Sequence, residues 1–292
     1  MGASLPASRV KVVAFMPGIR VPVLVLLLLA IAVIVGPWLL PGDPIAIGDM
    51  LDTRLLPPLS RGTDGHLHLL GTDRFGRDLL NRMLLAGRIS LSVGIAGSLL
   101  SAGAGVLLGA TAGWIGGLAD RATVALADTL LSIPRLVLLL VFSTLWTPGL
   151  TMVVAILVAT GWMGTMRLVR AEVQAMRSQP FVEGARALGT GERRLLFRHV
   201  LPNAIGPAIV AATLGVGNAI LLESGLSFLG LGVQPPTPSW GNMIAGGRDL
   251  IVTAPWVAIM PGVLLVLTVL AATLLGDAVR DWLAGDRATA EP

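Results

Sequence analysis

Runs of about 20 residues nearly free of charge recur along this 292-residue chain, and that is the length a helix needs to cross a bilayer. Hydrocarbon offers no partner to backbone N–H and C=O groups, so such runs are confined to helices that close their hydrogen bonds internally. Roughly six candidate spans fall near 21–40, 89–113, 124–147, 149–169, 204–224 and 255–277. With 54% hydrophobic residues, 13% charged residues and a mean hydropathy of +0.82, the composition is that of an all-α integral membrane protein. Val23 to Leu40 is long for a signal peptide, and Gly36-Pro37-Trp38 with Pro41 is a poor cleavage site, so the first run is read as a retained anchor.

Arg9, Lys11 and Arg20 precede that anchor and place the N-terminus inside; an even number of crossings returns the C-terminus, with Arg280 and Arg287, to the same side. The expected organisation is a cytoplasmic segment 1–20, an anchor 21–40, an extracytoplasmic loop 41–88, a transmembrane core 89–280 and a cytoplasmic tail 281–292. The arginines of the outer loop (54, 61, 74, 77, 82 and 88) are nearly matched by Asp43, Asp49, Asp52, Asp64, Asp73 and Asp78, which reads as a charge-balanced surface. Gly105, Gly109 and Gly113 recur every four residues, a spacing that lets a neighbouring helix backbone approach closely. Pro134 removes a helical hydrogen bond and disfavours helix at Ile133, so a kink or a late helix start is expected there.

Several function classes lose their footing in the residues. Lys11 is the only lysine, and a phosphate-binding loop needs one, so ATP hydrolysis by that route is excluded. The net charge of +4 comes from arginines at the membrane edges and does not point to nucleic acid. Cysteine is absent, which removes disulfides, thiolate metal sites and thiol catalysis. His66, His68 and His199 all fall in loops, leaving an intramembrane serine enzyme without a base; Ser227 in Gly225-Leu-Ser-Phe lacks a nucleophile's partner. His66 and His68 with Asp64 or Asp73 could hold a metal, but loop histidines two apart are ordinarily just solvated. The spans carry few ionisable groups of the kind that ion-coupled carriers use; Glu223 and Asp277 are read as solvated carboxylates at span ends. Trp240 and Trp256 are read as lipid-interface anchors.

The informative connection runs from 170 to 203. It carries Arg170, Arg177, Arg186, Arg193, Arg194 and Arg198 against Glu172, Glu183 and Glu192, an excess that marks a cytoplasmic loop. Ser178 is read as the cap of a short helix with Pro180 in its first turn and Glu183 near the positive end of its dipole. Ala185 and Ala187 keep that helix thin, and Gly189 and Gly191 stop it. Glu192 to His199 forms a second short helix, and Pro202 opens the next span. Two helices at a fixed angle transmit force, so the loop reads as a docking element for another protein. An amphipathic connector resting on anionic lipid would explain the arginines but not the glycine hinge.

Glu183, Ala185, Gly189, Leu201 and Pro202 stand at the spacing of the coupling motif of importer-type ABC transporter permeases, and the chain resembles that family. Gly184 replaces the first Ala of the usual Glu-Ala-Ala, costing roughly 1 kcal/mol of helix propensity; His199 stands where Ile is frequent. Leu70-Gly-Thr-Asp73, Gly76-Arg-Asp78, Ser227-Phe-Leu-Gly-Leu-Gly232, Pro235-Pro236, Trp240-Gly241 and Gly276-Asp277 with Arg280-Asp281 extend the resemblance to the dipeptide/oligopeptide/nickel subfamily and its C-type subunit. Thr273 departs from a frequent Asn.

The resemblance implies a type I importer fold with cytoplasmic coupling helices, in the inner membrane. It implies a homologous B-type permease, two ABC ATPases holding ATP and magnesium, and an extracytoplasmic substrate-binding protein. No cofactor is expected on this chain. The ATPase-coupling residues it implies are Phe181, Glu183, Gly184, Ala185, Arg186, Leu188, Gly189, Arg193, Arg194, Arg198, Leu201 and Pro202. Peptides are the first expectation for substrate and nickel the second; an autonomous channel or carrier and an intramembrane enzyme stay as alternatives. Gly71 to Asp78 could meet the partner permease or the binding protein, or simply cap the second span.

Overall fold

The computed structural model describes residues 17–47, 50–62 and 65–288; Arg9, Lys11, Asp49, Asp64 and the last four residues of the tail lie outside it. Among the described residues five helices are long and apolar enough to cross a membrane. These are α1 (Pro17–Leu39), α2 (Leu79–Ile115), α5 (Leu150–Arg177), α9 (Gly206–Phe228) and α11 (Trp256–Ala288). Between α2 and α5 lie α3 (Gly117–Ser132) and α4 (Arg135–Leu145): the span expected over 124–147 starts earlier and is broken at Pro134, where a kink or late helix start was expected. The break is complete because Ile133, next to Pro134, is extended at φ −91° and ψ 129°.

Glycine contacts fix how the long helices run. A Cβ on Gly105 would lie 2.7 Å from the Trp162 carbonyl oxygen, one on Gly109 2.5 Å from that of Met166, and one on Gly113 2.8 Å from that of Arg170. Residue numbers rise together along both helices, so α2 and α5 are parallel and backbone to backbone. A link between parallel helices must travel back the whole length. Here α3 and α4 make that return, about 24 and 16 Å of helix at 1.5 Å per residue, enough for a core about 30 Å thick. The return between the two parallel helices is therefore made by a broken pair. Ala127 and Leu130 of α3 pack on Trp162, Met163 and Met166, and Asp120 and Asp128 pair with Arg170 and Arg167.

α9 runs antiparallel to α2, with Ser98 donating to the Ala212 carbonyl and Ser90 to Glu223. α11 in turn runs antiparallel to α9, where Gly276 meets Leu214 and Gly217 meets Val269. Leu24, Leu27, Leu28, Ile31 and Ile34 of α1 face outward as a lipid-covered surface. Thr273, on α11, donates to the Val269 carbonyl of its own helix, and Asp277 pairs with Arg280.

The segment between α1 and α2 is a packed cap rather than the charge-balanced surface expected. α2 begins at Leu79, earlier than its apolar run, because the Asp78 carboxylate accepts from the Asn81 amide as an N-cap. Asp73 is buried: it accepts from the Phe75 and Arg77 amides and faces the Arg77 and Arg82 guanidiniums. Arg88 donates to the Val33 and Ile34 carbonyls of α1. A two-stranded hairpin, β1 (Ser60–Arg61) and β2 (Leu67–His68), closes the cap, and His68 bonds to Asp78 rather than to Asp73. No group of three metal-ligating side chains occurs among the described residues.

Three readings of the connection beyond α9 are corrected. Trp240, first residue of α10 (Trp240–Gly247), is 0% exposed and donates its indole N–H to the Met83 carbonyl, so it is a core residue and not a lipid anchor. Trp256 is half-buried and donates to the Thr72 carbonyl, tying α11 to the cap. Glu223 is 0% exposed, not solvated: it accepts from Ser90 at 3.0 Å and Ser227 at 2.7 Å, while Ser224 lies at 3.4 Å. Hydropathy treats a carboxylate near a span end as wet; the serines of two helices and the loop after α9 make this one dry.

If the α2–α5 contact organises the bundle, Gly109→Ala destabilises it by about 1–3 kcal/mol through overpacking. Gly103→Ala, where a Cβ meets nothing within 4 Å, is neutral or slightly stabilising. Thermal unfolding in detergent separates the two.

Candidate functional site

The 170–203 connection forms a hook at the end of the bundle where α2 and α5 finish and α9 begins. α5 runs on to Arg177, and Ser178 closes it; the hook's first helix, α6 (Pro180–Ala187), is entered from Gln179 with Pro180 at its start. Ser178 is thus no N-cap, and its hydroxyl donates back to Ala175 at 3.4 Å. Gly189 ends α6 at φ +82°, where its amide reaches the Arg186 carbonyl at 2.9 Å and the Thr190 amide reaches Ala185 at 3.1 Å. This paired bonding satisfies the last carbonyls and needs a left-handed residue, which only glycine adopts without strain.

Beyond the turn, α7 (Glu192–Arg194) continues without a stop into a π-helix over Leu195–Val200 and then α8 (Leu201–Ala204). The widened turn was not anticipated from the sequence. It coincides with a division of faces: Leu195, Leu196 and Val200 point inward while Phe197 and Arg198 stay exposed. Val182, Leu195, Leu196, Val200 and Ala204 are buried against Trp114 of α2 and Val169 and Val173 of α5. The hook is seated on the bundle by an apolar core of its own.

Its residues then separate by direction. Phe181, Gly184 and Leu188 lie three and four residues apart on one exposed face of α6, with Phe181 at 49% and Leu188 at 89% exposure. Around Gly184 a Cβ would meet nothing, so the missing methyl leaves no packing hole. Glu183, Arg193, Arg194, Arg198 and Pro202 are also exposed, and the last three arginines make no ion pair among the described residues. Ala185 and Leu201 face the hook's own core instead.

Arg186 is not free for an outside partner: its Nε donates to Glu192 at 2.8 Å, Nη2 at 3.3 Å, and the guanidinium lies 5.8 Å from the Trp114 ring. This clasp spans the Gly189 turn. Its bonds hold the Glu192 carboxyl below the usual carboxylate range, so the clasp is fully formed above that range and is lost as pH falls through the lowered value.

A half-open chamber of about 560 Å³ lies between α2, α4, α5 and α9. Its walls are small residues such as Ser98, Ser101, Gly164 and Gly215, with Arg135 and Arg167 the only charges. Periodicity could not reveal it, because Gly and Ala register as ordinary span residues. The signal was their density on facing helices.

The hook can carry a mechanical displacement from its exposed face to three transmembrane helices, and the chamber can admit a small solute. Residues 105–287 match the family described as binding-protein-dependent transport system inner membrane component. The chain is 40% identical over 258 residues to the di/tripeptide transport system permease protein DppC of Pseudomonas aeruginosa, covering 88% of this chain and 84% of that one. It is 43% identical over 216 residues to a Brucella suis protein assigned as a peptide permease, covering 73% and 72%. On the strength of that match across the hook, the chamber helices and the last span, the chain belongs to the family of inner membrane components of binding-protein-dependent transport systems.

Proposed function

We propose that this chain is the membrane-spanning permease subunit of an ATP-driven peptide importer, forming half of a pathway completed by a homologous permease. The observation that carries it is the hook: an exposed apolar face at Phe181, Gly184 and Leu188 on a helix rigidly seated on buried Val182, Leu195 and Val200. Such a face suits a groove on an ATPase, and two ATPase subunits would hold the ATP and magnesium that this chain is not expected to bind. Exposed ion pairs contribute only about 0–1 kcal/mol each, so Arg193, Arg194 and Arg198 tune that contact while the apolar face carries it. Arg186 and Gly189 set the hook's angle; Ala185 and Leu201 hold it in place.

Closure of the ATPases would move the hook and, through its apolar seat, the ends of α2, α5 and α9, switching access to the chamber from one side of the membrane to the other. The start of α1, the end of α11 and the arginine-rich hook share one end of the bundle, which supports a cytoplasmic location for all three. An extracytoplasmic binding protein would deliver substrate at the opposite end, beside the cap and α10. Peptides are preferred as substrate because the relatives are named for them.

Reconstitution in lipid with the partner permease, both ATPases and the binding protein tests this reading. Di- to oligopeptides are expected to stimulate ATP hydrolysis; stimulation by nickel alone would overturn the substrate, and failure to assemble with an ATPase would overturn the importer. Within that system Leu188→Asp, Gly189→Pro and Glu183→Arg are each expected to cut peptide uptake by about ten-fold or more, the scale of a lost interface hot spot. Membrane insertion should persist, since these side chains lie outside the buried core. Normal uptake by all three would sink the docking role.

A further inference from the structure

We propose that Arg135 forms a subsite in the chamber for the terminal carboxylate of the transported peptide. The inference rests on the importer reading above and adds the group that meets the substrate. Of the two guanidiniums on the chamber wall, Arg167 is engaged by Asp128 of α3. Among the described residues Arg135 is held at its Nε alone, which donates to the Thr160 hydroxyl at 3.4 Å. No carboxylate pairs with it among the described residues, and no acidic side chain lines the chamber. A partly buried cation without a counterion is costly at membrane depth, and it persists where something else supplies the charge.

Position makes the cation available. The break at Pro134 leaves Arg135 as the first residue of α4, pointed at the waist of α5. Gly161 faces it there: a Cβ on Gly161 would lie 3.9 Å from Arg135 Nη2 and 2.5 Å from the Ser101 hydroxyl. Any side chain at 161 would fill the space in front of the guanidinium. The planar fork of Arg135 matches a carboxylate through two parallel N–H donors. Ser101 donates its only hydroxyl proton to the Leu157 carbonyl at 2.9 Å, so the donors for a carboxylate come from Arg135.

A terminal carboxylate is the one negative charge common to unmodified peptides whatever their side chains, and the cationic Arg135 meets that end and not the terminal ammonium. A single arginine therefore selects the class without reading the sequence, and one contact is weak enough to release on transport. A bare metal cation would be repelled by the same wall.

The test compares uptake of trialanine and trialanine amide by the reconstituted importer carrying wild-type chain, Arg135→Gln or Arg135→Lys. The preference of the binding protein is common to all three and cancels when variant and wild type are compared for each peptide. Arg135→Gln is expected to lower uptake of the free acid about ten-fold, as loss of a charge-assisted bond would, and to leave the amide within about two-fold of wild type. Arg135→Lys, which keeps the charge but not the fork, should fall between. Equal loss for acid and amide would show a merely structural role and overturn the subsite. Unchanged uptake of the acid would also overturn it. Failure of the wild-type chain to import either peptide would overturn the peptide reading, and the subsite with it.

Discussion

The parallel contact between α2 and α5 is the constraint on which the rest of the molecule depends. Three glycines at four-residue spacing bring the two backbones together, and no larger residue would fit against the carbonyls they face. Because the helices are parallel, the chain must recross the membrane between them, and it does so through the broken pair α3 and α4. The same contact places the ends of α2 and α5 beside the start of α9, giving Val182, Leu195 and Val200 one apolar seat. In an environment where lipid competes equally for apolar side chains, such close backbone packing is what helix association can draw on.

One buried polar group joins several elements. Glu223 is surrounded by the hydroxyls of Ser90, Ser224 and Ser227, and Ser227 also accepts from the Val233 amide, so one buried carboxylate joins α2 to α9 and to the loop that follows. Trp240 continues that joint, donating its backbone amide to Ser90 and its indole to Met83. At the opposite end the hook gains stiffness from local chemistry: the left-handed Gly189 turn, and the Arg186–Glu192 clasp across it.

Much of this was legible in the residues. Uncharged runs located the crossings because hydropathy at membrane depth is a sum over many residues and tolerates local error. Gly189 and the Gly105 series were legible because a turn or a backbone contact needs the absence of a Cβ, which is a property of the residue itself. The candidate coupling residues came from a resemblance in motif, and a motif position does not say which way a side chain faces. Hence the set joins Arg186, which closes a clasp with Glu192 within the hook, and Ala185 and Leu201, which are partly buried against its core. Ser178 was read as a cap because capping propensity favours it, while α5 simply ran on to that position.

What the sequence determined by itself was the all-helical membrane class and the presence of an arginine-rich hook hinged on glycine, since each follows from composition or from one residue's conformational range. Tertiary structure alone decided that Glu223 and Trp240 are buried, that Asp73 is an internal anchor, and that Arg135 looks into a chamber with no counterion among the described residues. Those outcomes depend on which helices meet, and partners such as Ser90 and Glu223, 133 residues apart, are invisible to any local pattern.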